Sequence, residues 1–118
     1  MILGIVGFFY GSSFETGVPG VETGEIVGVL TVNGWHNLFH LGAGLAGLAA
    51  AGSGAARPYA LGFGLLFVVV AIWGFLAADD VVLTLLPVDA AGNILHLAIG
   101  LLGLGAGAAS PVAPPRRA

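Results

Sequence analysis

Long apolar stretches separated by short polar segments dominate this chain. Three of them, residues 33–51, 58–78 and 90–109, approach the roughly 20 residues that a helix needs to cross a bilayer core. The middle stretch, "PYALGFGLLFVVVAIWGFLAA", contains no charged residue, and Pro58 lies at its start, where a helix tolerates a residue without an N–H. The pattern predicts three transmembrane helices.

The two ends of the chain differ from these stretches. Residues 2–11 are apolar and helix-like, but at about 1.5 Å per residue they span only about half of a bilayer core. We expect a truncated first helix there; a half-helix packed against the other spans and a segment lying at the interface are the alternatives. Residues 110–118, "SPVAPPRRA", predict a disordered tail.

Two of the predicted helices begin with the same pattern. Residues 32–48, "VNGWHNLFHLGAGLAGL", align without a gap with residues 88–104, "VDAAGNILHLAIGLLGL", and eight of seventeen positions are identical. A weaker similarity relates "GIVGFF" at residues 4–9 to "AIWGFL" at residues 71–76. We interpret the chain as a duplicated helical hairpin. The predicted fold class is an all-α membrane bundle of three full helices and a truncated first helix.

Composition agrees with a membrane location and excludes several classes of function. Apolar types make up 58% of the 118 residues and charged types 8%, against roughly a quarter charged in soluble domains. Three basic residues are too few for a phosphate-binding surface, so we expect the lipid bilayer and not nucleic acid as a partner. Because there is no cysteine, disulfides, thiolate metal sites and thiol catalysis are excluded.

The charged residues predict the orientation of the helices. Arg57, Arg116 and Arg117 all lie on the side of the glycine-rich helix ends, and the positive-inside rule assigns that side to the cytoplasm. The six acidic residues lie on the other side: Glu15, Glu22, Glu25, Asp79, Asp80 and Asp89. We expect a multi-pass plasma-membrane protein with its acidic loops and histidines outside and its arginine loop and carboxyl-terminal tail in the cytoplasm.

Polar residues occupy equivalent positions just before two of the helices. Asn33 and Asp89 each precede a repeated helix, and we interpret them as N-caps that accept a hydrogen bond from a first-turn N–H. The alternative role for Asp89 is that of a metal-binding carboxylate. Capping is favoured because Asn replaces Asp in the other repeat.

Each of these helices also carries an Asn and a His three residues apart, which share a helix face. The pairs are Asn37 with His40 and Asn93 with His96. Farther along the same faces lie glycines, which mark close approaches between transmembrane helices: Gly44, Gly47, Gly100 and Gly103. We expect the Asn and His side chains to form hydrogen bonds across the two helices and to fix their register near the outer interface.

Cofactor binding is the second interpretation of the histidines. His36 and His40 are four residues apart, a spacing that directs two imidazoles at one metal ion, and His96 would add a third. Three histidines suit zinc or copper, whereas His40 and His96 alone suit a haem or a chlorophyll-type macrocycle. His36 has no counterpart in the repeat, because Gly92 takes its position. Both interpretations stay open at this point.

The same segments resemble a known family. "NGWHNLFHLGAGLAGLAA" and "LLPVDAAGNILHLAIGLLGL" are similar to small four-helix membrane proteins of actinobacteria and haloarchaea, grouped as domain of unknown function 4383. His36 to Leu41 match the motif H-N-x-x-H-L, and Asn93 to His96 match N-x-L-H. The resemblance covers residues 30–107 and implies a membrane fold without an assigned activity. We expect a non-enzymatic structural or accessory subunit that packs against itself or within a larger membrane complex.

Overall fold

The computed structural model describes residues 1–17 and 23–112. In these ranges the chain forms helices α1 (Ile2–Gly7), α2 (Gly34–Ser53), α3 (Ala56–Leu76) and α4 (Ala90–Ala109). It also forms four short strands: β1 (Gly24–Ile26), β2 (Leu30–Val32), β3 (Val81–Val82) and β4 (Leu86–Pro87). Most of the tail predicted to be disordered lies outside the described residues, as do Glu22, Arg116 and Arg117.

The three long helices follow the apolar stretches, with ends that local chemistry explains. α2 ends at a turn in which Gly54 adopts the left-handed conformation, with φ of 79°, and its N–H donates to Ala50 O. Glycine suits this position because it has no Cβ to clash there. α3 begins at Ala56, two residues before the predicted start, so that Pro58 lies within its first turn, where no intrahelical hydrogen bond is lost.

α1 is shorter than the predicted segment 2–11, since the helix ends at Gly7. It packs against α2, and glycines permit the contact. A Cβ on Gly4 would lie 2.7 Å from Leu41 N, so the two backbones approach too closely for any side chain at that position. α1 and α2 therefore form the first helix pair.

α3 and α4 form the second helix pair, which has the most extensive contact between elements in the described residues. A Cβ on Gly64 would lie 2.7 Å from Leu104 N and 2.9 Å from Gly100 O. The helices therefore meet backbone to backbone along a line of glycines. Contact between α2 and α3 is smaller, and backbone contact between α2 and α4 is slight.

Two small antiparallel β-hairpins, which were not predicted, cover one end of the bundle. In the first, β1 pairs with β2; in the second, β3 pairs with β4. The turn residues Val27 and Gly28 have φ of 47° and 70°, and Leu83 and Thr84 have φ of 54° and 57°. Positive φ at both central residues is the turn geometry that fits the twist of paired strands. The sequence does not signal these turns. Neither has the usual Asn-Gly pair, and Val and Leu seldom adopt positive φ.

Two of the described helices, α3 and α4, are long and apolar enough to cross a membrane. Three such helices were predicted. α2 has the necessary length, but its first turns contain His36, Asn37 and His40, which lower its hydropathy. The polar residues that set α2 apart also form the candidate site.

Candidate functional site

Side-chain caps begin both α2 and α4, as predicted for their sequence positions. Asn33 has extended backbone, and its Oδ1 accepts a 2.9 Å hydrogen bond from the His36 N–H. Asp89 also has extended backbone, and its Oδ1 accepts a 2.6 Å hydrogen bond from the Gly92 N–H. Each cap satisfies a first-turn donor that has no partner within its helix.

The same two side chains connect the halves of the chain. Asn33 Nδ2 donates a 2.7 Å hydrogen bond to Leu85 O, which belongs to the second β-hairpin. Asp89 Oδ2 accepts a 2.5 Å hydrogen bond from the Thr31 N–H, which belongs to the first. Each cap therefore holds the β-hairpin of the other half. One contact needs a donor and the other an acceptor, which explains Asn at one position and Asp at the other.

The hydrogen bonds of Asp89 determine its ionisation. Burial acts to raise its pKa, but the N–H groups of Gly92 and Thr31 stabilise the carboxylate and hold the pKa below its usual value. Both carboxylate oxygens are engaged in this way. The arrangement favours the capping role of Asp89 over direct metal ligation.

The three histidines converge at this end of the bundle and are called the histidine cluster. His40 Nε2 and His96 Nε2 lie 3.2 Å apart and form a direct hydrogen bond between α2 and α4. The ring of His36 lies 4.6 Å from that of His40 and 5.6 Å from that of His96, measured between centroids. One potential ligand atom from each residue can be chosen so that all three lie within 4.8 Å of one another.

The histidine cluster is buried and enclosed by apolar groups. His96 is 3% exposed, His40 5% and His36 9%. The ring of Phe67, from α3, lies 5.7 Å from that of His40 and 5.6 Å from that of His96. The ring atoms His36 Nδ1 and His96 Nδ1 have no hydrogen-bond partner among the described residues. Buried polar atoms of this kind are few in native proteins, and each calls for an explanation.

The two asparagines differ from the expectation that they bond across α2 and α4. Asn37 Nδ2 donates a 2.6 Å hydrogen bond to Gly11 O, and its side-chain oxygen packs on Gly7 of α1. Asn93 packs on Gly74 of α3 in the same way. Residues three apart diverge by about 60° around a helix, so the His reaches the other half while the Asn faces its own helix pair. Of the predicted bonds between halves, only the His40–His96 bond forms.

The predicted glycines pack both within and between the helix pairs. Gly44 lies against Met1, which precedes α1, and Gly47 lies against the ring of Tyr59 from α3, in the other helix pair. Gly100 and Gly103 lie against α3. Gly44 and Gly100 each follow the Asn of their helix by seven residues, which is nearly two full turns. Gly44 and Gly100 therefore share the direction of the asparagines, whereas Gly47 and Gly103 follow His40 and His96 by seven residues and share the direction of the histidines.

A small cavity of about 10 Å³ adjoins the cluster and is lined in part by His36, His96 and Asp89. Its size matches roughly one water molecule. A macrocycle held by His40 and His96 would have to lie between two nitrogens that are only 3.2 Å apart. The distance leaves no room for a haem or chlorophyll-type group between these two nitrogens.

Four residues of this end were missed on the sequence: Gly7, Thr31, Gly74 and Leu85. The two glycines were visible in principle, because aligning "GIVGFF" with "AIWGFL" places Gly7 opposite Gly74. Thr31 and Leu85 contact the caps through backbone groups. A pattern of side chains along the sequence does not indicate which backbone groups will bind a cap.

One of three comparisons with known proteins identifies a family for this chain. No curated protein and no solved structure matches this chain. The model of a family described as a domain of unknown function, DUF4383, matches residues 1–109. The match includes both β-hairpins, all four described helices and every residue of the histidine cluster. The chain belongs to the DUF4383 family.

Proposed function

We propose that this chain is a multi-pass integral membrane protein with a non-enzymatic, structural or accessory role. The observation that carries the membrane assignment is the exposure of its most apolar helices. Only 28% of the span window in each of α3 and α4 is buried within the chain. Many large apolar side chains on these helices face outward: Leu65, Leu66, Val69, Ile72, Trp73, Phe75, Leu76, Ile94, Leu101 and Leu102.

This exposure argues against a soluble protein. A core helix of a soluble domain has comparable apolarity but is mostly buried, because burying apolar surface is worth about 25 cal/mol per Å². Exposed apolar patches of this extent indicate contact with a membrane or a partner. Lipid acyl chains and neighbouring transmembrane helices are the partners that suit these faces.

The accessory role is supported by what the long helices contain. Apart from Arg57 in the first turn of α3, none of α2, α3 and α4 has a charged residue. Charged groups inside a membrane mark ion paths, proton relays and voltage sensors. The side chains of Asn33, Asn37 and Asp89 instead bond to the backbone, and His40 bonds to His96, as expected of a scaffold that holds two helix pairs together.

We also propose that the fold is a duplicated hairpin. Support comes from equivalent geometry at a constant spacing of 56 residues. Val27 and Leu83 both adopt positive φ in the β-turns, Asn33 and Asp89 both cap helices, and the linked residues His40 and His96 are 56 positions apart.

The proposed orientation has the two β-hairpins outside and the turn between α2 and α3 in the cytoplasm. The described acidic residues lie in the loops at the β-hairpin end, whereas Arg57 lies beside the opposite turn. Because the chain has no cysteine, single cysteines report cleanly on sidedness. Ser53→Cys should resist a membrane-impermeant maleimide in intact cells, whereas Asp79→Cys should react, and the cysteine-free parent is the unlabelled control. Labelling of both variants from the same side would contradict the proposed topology.

The accessory role is tested by isolation in a mild detergent. We expect the protein to remain in the membrane pellet after alkaline washing and to elute, once solubilised, as an oligomer or within a larger assembly. Light scattering during size-exclusion chromatography measures the protein mass independently of the detergent. Recovery as a free monomer alone would contradict the accessory role, and release by alkaline washing would contradict the membrane assignment.

A further inference from the structure

We propose that the histidine cluster binds a single transition-metal ion of the zinc or copper class through His36, His40 and His96. This site goes beyond the structural role proposed above, because a scaffold requires only the bond between His40 and His96. The inference rests on the geometry of the three imidazoles, on the buried and unpaired Nδ1 of His36 and on the adjoining cavity.

The spacing of the nitrogens fits a metal ion. Ligand atoms about 2.0–2.1 Å from a tetrahedral zinc lie roughly 3.4 Å from each other. His40 Nε2 and His96 Nε2 are already 3.2 Å apart. The ligand atoms of all three histidines lie within 4.8 Å, so small side-chain rotations bring the third donor into range.

The surroundings also suit a cation. The cavity of about 10 Å³ beside His36 and His96 provides space for one solvent molecule as a fourth ligand. Asp89 lines the same cavity, and its carboxylate is held in place by two backbone N–H groups. A fixed anion near the three imidazoles partly offsets the cost of placing a positive ion in a buried site.

The donor set indicates which metals bind. Imidazole nitrogens suit zinc, copper, iron and nickel, whereas magnesium and calcium prefer oxygen ligands. Sites with three histidines and one open position are a known arrangement for zinc. Zinc and copper share this ligand chemistry, so both are included in the test.

His36 separates the metal site from the structural pair. The bond between His40 and His96 links the two halves without it. The equivalent position in the second half is Gly92, so this helix start does not require a histidine. The ring of His36 nevertheless points into the cluster, within 4.6 Å of His40 between centroids, and its Nδ1 has no partner among the described residues. A third ligand explains this placement.

The test is metal binding by the full chain, purified in detergent and stripped with a chelator. Equilibrium dialysis against Zn²⁺, and separately against Cu⁺ under reducing conditions, followed by elemental analysis, measures the stoichiometry. We expect one ion per chain with at least one of the two metals. A Co²⁺ titration should give the visible absorption of a tetrahedral nitrogen-rich site. If neither metal binds when its concentration is close to that of the protein, the proposal is overturned.

Variants identify the ligands. His36→Ala should weaken binding at least about 100-fold, since loss of an outer-shell partner alone costs about 10- to 100-fold. Asn93→Ala is the matched control. Asn93 is buried, as His36 is, and lies one turn from His96 but offers no imidazole, so this variant should bind metal normally. His36→Gln provides a second, conservative ligand variant if the alanine variant fails to fold. Undiminished binding by a folded His36 variant would overturn the three-histidine assignment, and binding to the wild type alone would support it.

Discussion

At the residue scale, the difference between Asn33 and Asp89 has a clear physical meaning. Both cap a helix with Oδ1. The other polar atom of each side chain has the opposite hydrogen-bonding role. Asn33 Nδ2 donates to Leu85 O, while Asp89 Oδ2 accepts from the Thr31 N–H. The two side chains differ in one atom, nitrogen or oxygen. That atom determines whether the helix start binds a C=O or an N–H of the other half.

The Asp89 carboxylate makes stability depend on pH. Its pKa in the folded state lies below the ordinary value of 3.8, so the charged form contributes stability above about pH 3.8 that is lost as the pH falls through the folded-state pKa. Asp89→Asn should lower the free energy of unfolding by about 1 kcal/mol at pH 7, because the Thr31 N–H loses its acceptor. Thermal unfolding in detergent between pH 2.5 and 7 should show the acid-dependent loss in the wild type and a smaller one in the variant. Identical pH profiles would contradict this account.

The bond between His40 and His96 should appear as a coupling energy. Interhelical hydrogen bonds in membranes contribute about 0.6 kcal/mol on average and up to about 1.7 kcal/mol. We expect a double-mutant cycle with His40→Ala and His96→Ala, measured by unfolding in metal-free detergent, to give a coupling in that range. The same cycle with Gly62→Ala in place of His40→Ala should give a coupling near zero. A negligible coupling between the histidines would mean that their contact does not stabilise the fold.

At the element scale, the glycines decide how closely the helices pack. The α3–α4 contact is closed at Gly64, where a Cβ would lie 2.7 Å from Leu104 N. Gly62 lies on the same helix and faces open space. The two positions therefore separate the packing role of glycine from its intrinsic cost within a helix.

Gly64→Ala should destabilise the protein by about 1–3 kcal/mol, because a backbone atom cannot move aside as a flexible side chain can. Gly62→Ala should leave stability unchanged or raise it by up to about 1 kcal/mol, since alanine is the better helix former. Unfolding of both variants in the same detergent measures the difference. Equal stabilities would contradict the close packing of α3 and α4.

The elements were predictable to different degrees for identifiable reasons. The helices follow from long apolar stretches, and the caps follow from Asn33 and Asp89 standing before a repeated pattern. The β-hairpins were missed because Val27 and Leu83 occupy turn positions that favour Gly or Asn. The partners of Asn37 and Asn93 were missed because periodicity defines a helix face only broadly, and a 60° difference changes which neighbour a side chain meets.

At the scale of the whole molecule, the two helix pairs are joined mainly at one end. The cap contacts and the His40–His96 bond all lie near the β-hairpins. Farther along, Tyr59 Oη donates to Ala43 O across α2 and α3. The exposed turn at Gly54 is the covalent link between the two halves. We therefore expect the two caps and the His40–His96 bond to hold the halves together more than the covalent link does.

A chain cut at this turn should therefore still assemble. We expect co-expressed fragments 1–54 and 55–118 to co-purify in mild detergent, because the contacts between halves do not require an intact turn. Adding His40→Ala together with Asp89→Ala should greatly reduce recovery of the untagged fragment, whereas Gly42→Ala, at a position facing open space, should not. Failure of the unmodified fragments to associate would show that the covalent connection is essential.

Pro87 gives the two halves unequal roles in assembly. It occupies the position 56 residues after Thr31, and as a proline it has no N–H to offer a carboxylate. If two copies of the second half were paired, Pro87 would face Asp89 and could not donate a hydrogen bond to it. The first half supplies that donor through the Thr31 N–H. Asp89 is synthesised after Thr31, so the N–H donor that Asp89 needs already exists when the second half emerges.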